Sequence, residues 1–288
     1  MKHIFHVGLT KCASTSIQRY FEAHPGIALS ARRQVWRTLV SRNSLYGETP
    51  DVSGFFNSKS NGSFVHSHER LSGNPHSGHY DLVDIARRIR AIPGDVKIVI
   101  FIREQYQLLA SCYSEYVTIG GTLSFDRYLT QRWNARFPVF DPTIYRYDRL
   151  LEFYDELFGR DNVWVGHVEG LARSPEDVLR RLCRFIGVEY FPFITPALNP
   201  KKEERWIAEE RIRNVFCEHK KGLQQNIPVR IPRILRSLLG SIARRQFRAQ
   251  PSADADFAKA TLPGYFADSN TIARDRIGED LESYGYSL

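Results

Sequence analysis

The chain has 288 residues, of which 42% are hydrophobic and 25% charged, a composition that excludes a globally disordered polymer and leaves room for a sizeable core. We expect one domain over 1–288, with an α/β core over 1–189 and a helical lid and C-terminal segment over 190–288. The formal charge of +8 suits phosphates, anionic glycans, nucleic acid or acidic lipid without choosing among them.

The first apolar run, Ile4-Phe5-His6-Val7, is too short for a signal-peptide core or a membrane span, so a cytoplasmic location is the expectation. Cys12, Cys112, Cys183 and Cys217 are scattered without a C-x-x-C spacing, which argues against a zinc knuckle or a disulfide framework. No metal is expected. Cys12, beside Lys11 at a helix start, reads as a small loop filler, with a reactive thiol as the alternative.

A strand over 3–8 runs into a turn and then a helix over 14–24. The turn carries Lys11, Cys12, Ala13, Ser14, Thr15 and Ser16. Unpaired N–H groups and the positive dipole end at a helix start favour an anion there, with Lys11 as point charge and the three hydroxyls as donors. A nucleotide-hydrolase P-loop would need Lys followed at once by the magnesium-holding hydroxyl, and here they are separated. The bland alternative is a Ser/Thr-capped helix. Ala13 carries a Cβ, from which we expect a turn that avoids positive φ at this position.

Residues 25–62 hold one helix and a polar run over 57–62 that reads as a mobile loop. A strand over 63–67 ends in His66, His68 and Glu69, and His68 or Glu69 could serve as a base. Surface and capping roles are the plain readings of both. His66 and His68 share one strand face, and with His6 nearby a metal site is conceivable, although no carboxylate or Cys falls at ligand spacing. A helix over 81–92 and a buried strand over 97–102 follow, with Arg103 at the strand's carboxyl end, where open α/β sheets bind ligands. Arg103 can grip a phosphate bidentately, and Ser111 lies two turns along the next helix, 104–119. An ion-pair role for Arg103 and a filler role for Ser111 are the alternatives. An Arg at this place would repel the magnesium that a kinase needs.

Further helices are expected from Ser124 through Trp133, over 147–158 and over 175–186, with a strand over 163–165, so short strands alternate with helices as in a parallel sheet. Beyond 190 the chain reads as proline-punctuated helices. Arg230 to Arg248 carries six arginines, no acid and an apolar stripe: a basic amphipathic helix that docks on the core or, alternatively, meets a membrane surface or an anionic glycan.

Lys11 with Ser14, Thr15 and Ser16 resembles the 5′-phosphosulfate loop, P-K-[TS]-G-[TS]-[TS], of sulfotransferases that use 3′-phosphoadenosine 5′-phosphosulfate (PAPS), with Thr10 and Ala13 in place of Pro and Gly. Arg103 and Ser111 match that family's 3′-phosphate pair in spacing, and Ser67-His68-Glu69-Arg70-Leu71 is similar to the S-x-E-x-L of its bacterial and glycan-directed members. The resemblance implies a three-layer, P-loop-like α/β fold with a mainly parallel sheet flanked by helices, plus a helical C-terminal part. It implies PAPS as co-substrate and a hydroxyl-bearing acceptor, a carbohydrate, with no nucleic-acid partner. It assigns Lys11 to catalysis, Glu69 first and His68 second as the base, and residues 11–16, Arg103, Ser111 and, by location, Lys201 and Lys202 to the nucleotide. A magnesium-dependent kinase and a non-catalytic binder of membranes or anionic polymers are the alternatives from other classes.

Overall fold

The computed structural model describes residues 2–41, 63–132, 137–193, 204–216 and 253–288. The polar run 57–62, Lys201, Lys202, Cys217 and the arginine-rich stretch 230–248 lie outside the described residues.

The chain forms two compact units: residues 1–105, 134–198 and 264–288 make the first, and 106–133 with 199–263 make the second. The first unit is built on five parallel strands, β1 (Lys2–Val7), β2 (Ile27–Leu29), β3 (Ser63–His68), β4 (Asp95–Ile102) and β5 (Val163–His167), in the order β2-β3-β1-β4-β5. The apolar residues of β1 and β4 are buried along nearly their whole length, as expected of strands covered by helices. The chain leaves β1 toward β2 and leaves β4 toward β5, so the strand order reverses at the carboxyl ends of these two neighbours. That is the place where open α/β sheets form their ligand crevice.

Helices α1 (Ser14–Ala23), α2 (Arg32–Val35), α3 (Leu82–Arg90), α4 (Gln105–Thr118), α5 (Phe125–Leu129) and α6 (Tyr147–Phe158) follow the expected order, and α7 (Val168–Arg173), which was not expected, precedes the expected α8 (Pro175–Ile186). Apolar periodicity explains them: Leu82, Ile85, Ala86 and Ile89 form the buried stripe of α3. Pro175 opens α8, and Gly187 closes it at φ 78°, a left-handed position that glycine adopts without strain. Two short elements escape periodicity, the three-residue edge strand β2 and the six-residue α7. Helix α5 stops at Leu129, short of the expected Trp133, with Thr130 as its C-cap, whose N–H and hydroxyl both donate to the Asp126 carbonyl, at 3.0 and 2.8 Å.

The second unit gathers α4 from Tyr106 onward, α5, α9 (Glu204–Phe216) and α10 (Ala255–Thr261). Tyr113 and Phe125 pack with ring centroids 4.7 Å apart, and Asn214 Nδ2 donates to the carbonyls of Val117 and Gly121 at 2.6 and 2.9 Å. In the first unit, α11 (Ala267–Ile277) returns to the sheet: Arg276 pairs with Asp155, and Asn270 Nδ2 donates to Gln105 at 3.1 Å. Among the described residues no helix is long and apolar enough to cross a membrane.

Candidate active site

The turn after β1 wraps tightly. Lys11 and Ala13 adopt φ 67° and 56°, both left-handed, and Ala13 is the residue that enters α1. This overturns the expectation that Ala13 would avoid positive φ. The Cβ raises the cost by about 1–2 kcal/mol without forbidding the conformation, and two such residues within three are strain of the kind that collects at functional turns. The turn is held by Cys12 N–H donating to the Leu9 carbonyl at 3.1 Å. Cys12 is fully buried, which favours its reading as a filler over that of an accessible thiol.

Side chains around this turn are unsatisfied. Ser14 Oγ and Thr10 Oγ1 are buried with no hydrogen-bond partner among the described residues. A Cβ on Gly8 would come within 2.5 Å of Ser14 Oγ, so the glycine is what lets the hydroxyl sit over the strand end. Buried hydroxyls seldom stay unpaired, and their position at a helix start suits an anion bearing several acceptor oxygens. Lys11 and Thr15 are exposed, whereas Ser16 is buried in the first turn of α1.

Arg103, at the end of β4, closes the turn from the other side: its Nη1 donates to the Lys11 carbonyl at 3.2 Å. Its backbone is clamped by the fully buried Tyr147, whose hydroxyl accepts from Arg103 N–H at 3.2 Å and donates to the Arg103 carbonyl at 2.6 Å. Ser111 is half-buried, two turns into α4, and belongs to the second unit. Lys11 and Arg103, far apart in sequence, are thus direct neighbours.

Register carries Glu69 to the same place. Val7 pairs with His68, so Glu69 follows opposite Gly8, and Ser72 Oγ donates to the Gly8 carbonyl at 3.0 Å. The Glu69 carboxylate is held by Arg32, the first residue of α2. His68 is spent differently: its Nδ1 accepts from Arg70 N–H at 3.0 Å and its ring lies against Trp36. Burial, with the charges of Arg32 and Arg70, pulls the His68 pKa down to about 4 against the opposing pull of Glu69. The ring is therefore neutral near pH 7 with its proton on Nε2, which leaves it no open lone pair.

The idea of a His6/His66/His68 site fails on register. Phe5 pairs with His66 and His6 with Ser67, so His6 shares a face with Ser67 and not with His66. His6 Nδ1 is hydrogen-bonded to Ser67 Oγ at 2.7 Å, while His66 is hydrogen-bonded to His3 at 3.1 Å and to Ser30 Oγ at 2.6 Å. Burial lowers the pKa of both His6 and His66 to about 3, with His3 adding to the shift of His66, so these are neutral core imidazoles. Among the described residues no group of three or more metal-ligating side chains is gathered for a cation.

Motif reasoning missed Arg32, Gln18, Ser67 and Tyr147 as parts of this constellation. Ser67 stands inside the S-x-E stretch and was within reach. The other three have no local signature, because strand order and packing bring them in.

No protein-family model matches the chain, and no curated protein matches it in sequence. Among solved structures, a sulfotransferase from Alicyclobacillus acidocaldarius matches with a TM-score of 0.57 and 19% identity over 99% of this chain and 98% of that one. The sulfotransferase domain of the Synechococcus PCC 7002 olefin synthase matches at 13% identity over 100% of this chain and 95% of that one, with a TM-score of 0.42. The Alicyclobacillus likeness covers nearly the whole of both chains, and with the parallel sheet of alternating strands and helices it shows that this chain has the sulfotransferase fold, of the P-loop-like α/β kind.

Proposed function

We propose that the protein is a sulfotransferase that moves a sulfuryl group from PAPS to the hydroxyl of a carbohydrate acceptor. The observation that carries this reading is the direct contact of Arg103 with the Lys11 turn, which joins two anion-binding elements at the strand-order reversal of the sheet. Neither Lys11 nor Arg103 has an ion-pair partner among the described residues, so both cations remain available to phosphate. The unpartnered Ser14 hydroxyl fits the same ligand.

Lys11, Ser14, Thr15 and Ser16, with the N–H groups of residues 13–16, would hold the 5′-phosphosulfate; Arg103 would hold the 3′-phosphate. When bound, PAPS supplies an electrophilic sulfuryl group and a phosphate leaving group. Lys11 and the start of α1 stabilise negative charge at the carboxyl end of β1. Glu69, one residue past β3, accepts the acceptor proton, a role that the commitment of His68 Nδ1 to Arg70 leaves to the carboxylate. The arginine-rich stretch 230–248 is the element we propose for peripheral contact with an inner membrane or an acidic glycan.

Thermal shift tests the reading. Adenosine 3′,5′-bisphosphate without metal is expected to stabilise the protein, and ATP with magnesium is not. Stabilisation by ATP with magnesium alone would replace this proposal with a kinase.

A further inference from the structure

A cavity of about 420 Å³ opens beside α1 at the β2 edge of the sheet, lined by Gln18, Phe21 and Glu22 of α1, by Ile27 and Leu29 of β2, and by Ser30, Arg32 and Ser67. Its size falls within the roughly 300–1,000 Å³ of small-molecule sites. Its lining is apolar at Phe21, Ile27 and Leu29 and polar at Gln18, Glu22, Ser30, Arg32 and Ser67, of which Arg32, Gln18 and Ser67 are joined by hydrogen bonds. Among the lining residues Arg32 is the one cation, and the one acid, Glu22, lies a helical turn beyond Gln18 along α1.

The Arg32 side chain is 54% exposed, but its guanidinium is tethered at both terminal nitrogens. Its Nη1 donates to Gln18 Oε1 at 3.4 Å, Gln18 Nε2 donates to Ser67 Oγ at 3.1 Å, and Ser67 is hydrogen-bonded to the buried His6 at 2.7 Å. A chain of polar groups anchored in the sheet core therefore aims the guanidinium, and its other terminal nitrogen holds the Glu69 carboxylate. One guanidinium faces both the cavity and the proposed base.

We propose that Arg32 is the specificity residue of the acceptor site: it receives a carboxylate or sulfate on a hydroxylated acceptor seated in this cavity, and in doing so it lets go of Glu69. The proposal rests on the sulfotransferase reading and deepens it by naming the acceptor as anionic. A carboxylate tied to a guanidinium has its lone pairs engaged, and exchange of Glu69 for the acceptor's anion frees them only when an acceptor is in place. In the transfer step the acceptor O–H bond breaks and its proton goes to Glu69. The acceptor oxygen bonds to sulfur, the bond from sulfur to the bridging phosphate oxygen breaks, and adenosine 3′,5′-bisphosphate leaves with the electron pair. With a neutral acceptor Arg32 stays on Glu69 and the base stays engaged.

The test titrates the full chain with methyl β-D-glucuronide, methyl β-D-glucoside and methyl β-D-glucoside 6-sulfate, which differ only at the sixth carbon, in wild type, Arg32→Gln and Arg32→Lys. We expect the glucuronide or the sulfated glucoside to bind about tenfold more tightly than the glucoside, Arg32→Gln to abolish the preference and Arg32→Lys to keep part of it. The tighter anion separates a carboxylate acceptor from a sulfated one. Equal affinity for all three probes, no binding of either anion, or a preference that survives Arg32→Gln would overturn the proposal. Adenosine 3′,5′-bisphosphate binding, measured on the same samples, reports folding of the variants and tests the donor reading separately. If it binds while the glycosides show no preference, only the Arg32 inference falls; an Arg32-dependent preference without bisphosphate binding removes the donor reading and leaves the anion site.

Discussion

Arg103 Nη1 donates to the Lys11 carbonyl at 3.2 Å, so the residue that ends β4 fastens the turn that follows β1. The contact joins positions far apart in sequence, and its backbone side is fixed by the hydroxyl of Tyr147. Replacing Arg103 with Ala should weaken adenosine 3′,5′-bisphosphate binding by about tenfold to a hundredfold in a calorimetric titration. Arg103→Lys should rescue little, because an ammonium cannot reach turn and phosphate as a fork. Unchanged affinity in both variants would remove Arg103 from the nucleotide site.

Tyr147→Phe keeps the ring and removes both bonds to the Arg103 backbone. Leaving buried polar groups unpaired should cost about 1–3 kcal/mol in denaturant unfolding and should also weaken the bisphosphate. A loss of stability with no loss of affinity would make the tyrosine a packing residue only.

Lys11 is exposed and without an ion-pair partner among the described residues, so Lys11→Ala should leave the melting temperature nearly unchanged. Transfer should fall by about 10²–10³ if the ammonium faces the leaving oxygen. Labelled-donor turnover equal to wild type would exclude that role.

Glu69→Gln and His68→Gln separate the two candidate bases. The first should lower turnover by about 10²–10⁴ with bisphosphate affinity intact. His68→Gln should act chiefly on stability, through the lost Arg70 N–H contact and the Trp36 packing. Greater loss of turnover in His68→Gln would reverse the assignment.

Glu279 predicts an acid limb in the stability profile. The hydrogen bond from His167 at 2.9 Å, together with Arg181, holds its pKa down at about 2, against a partial burial that works the other way. A carboxyl depressed in the folded state stabilises fully above its ordinary value near 4.5 and loses that contribution as pH falls toward 2. Wild type should exceed Glu279→Gln by about 2 kcal/mol at pH 7, less than the full linkage value because the group keeps some solvent contact. The gap should close in unfolding curves recorded from pH 5 down to 2.5. A gap independent of pH would mean that the pair is not what depresses the group.

Much of the frame was legible from local pattern. The apolar runs of β1 and β4, the stripe of α3 and the proline and glycine that bracket α8 are written in neighbouring residues, because secondary structure responds to side chains a few positions apart. The turn 8–16 was legible for the same reason, as strand, turn and helix start are contiguous. Its backbone was not: Ala13 sits at φ 56° because the close packing of the turn outweighs the cost of one Cβ.

By itself the sequence determined the alternating α/β pattern, the Lys11 turn, the position of Arg103 at a strand end and the pair of candidates His68 and Glu69. Only the tertiary structure decided that Lys11 and Arg103 touch, that His68 spends its lone pair on Arg70, that His6 faces Ser67 and that Arg32 holds Glu69. Those outcomes depend on which strands lie side by side and in what register. Many compact arrangements share the same local signals, and the burial of the whole sheet selects among them.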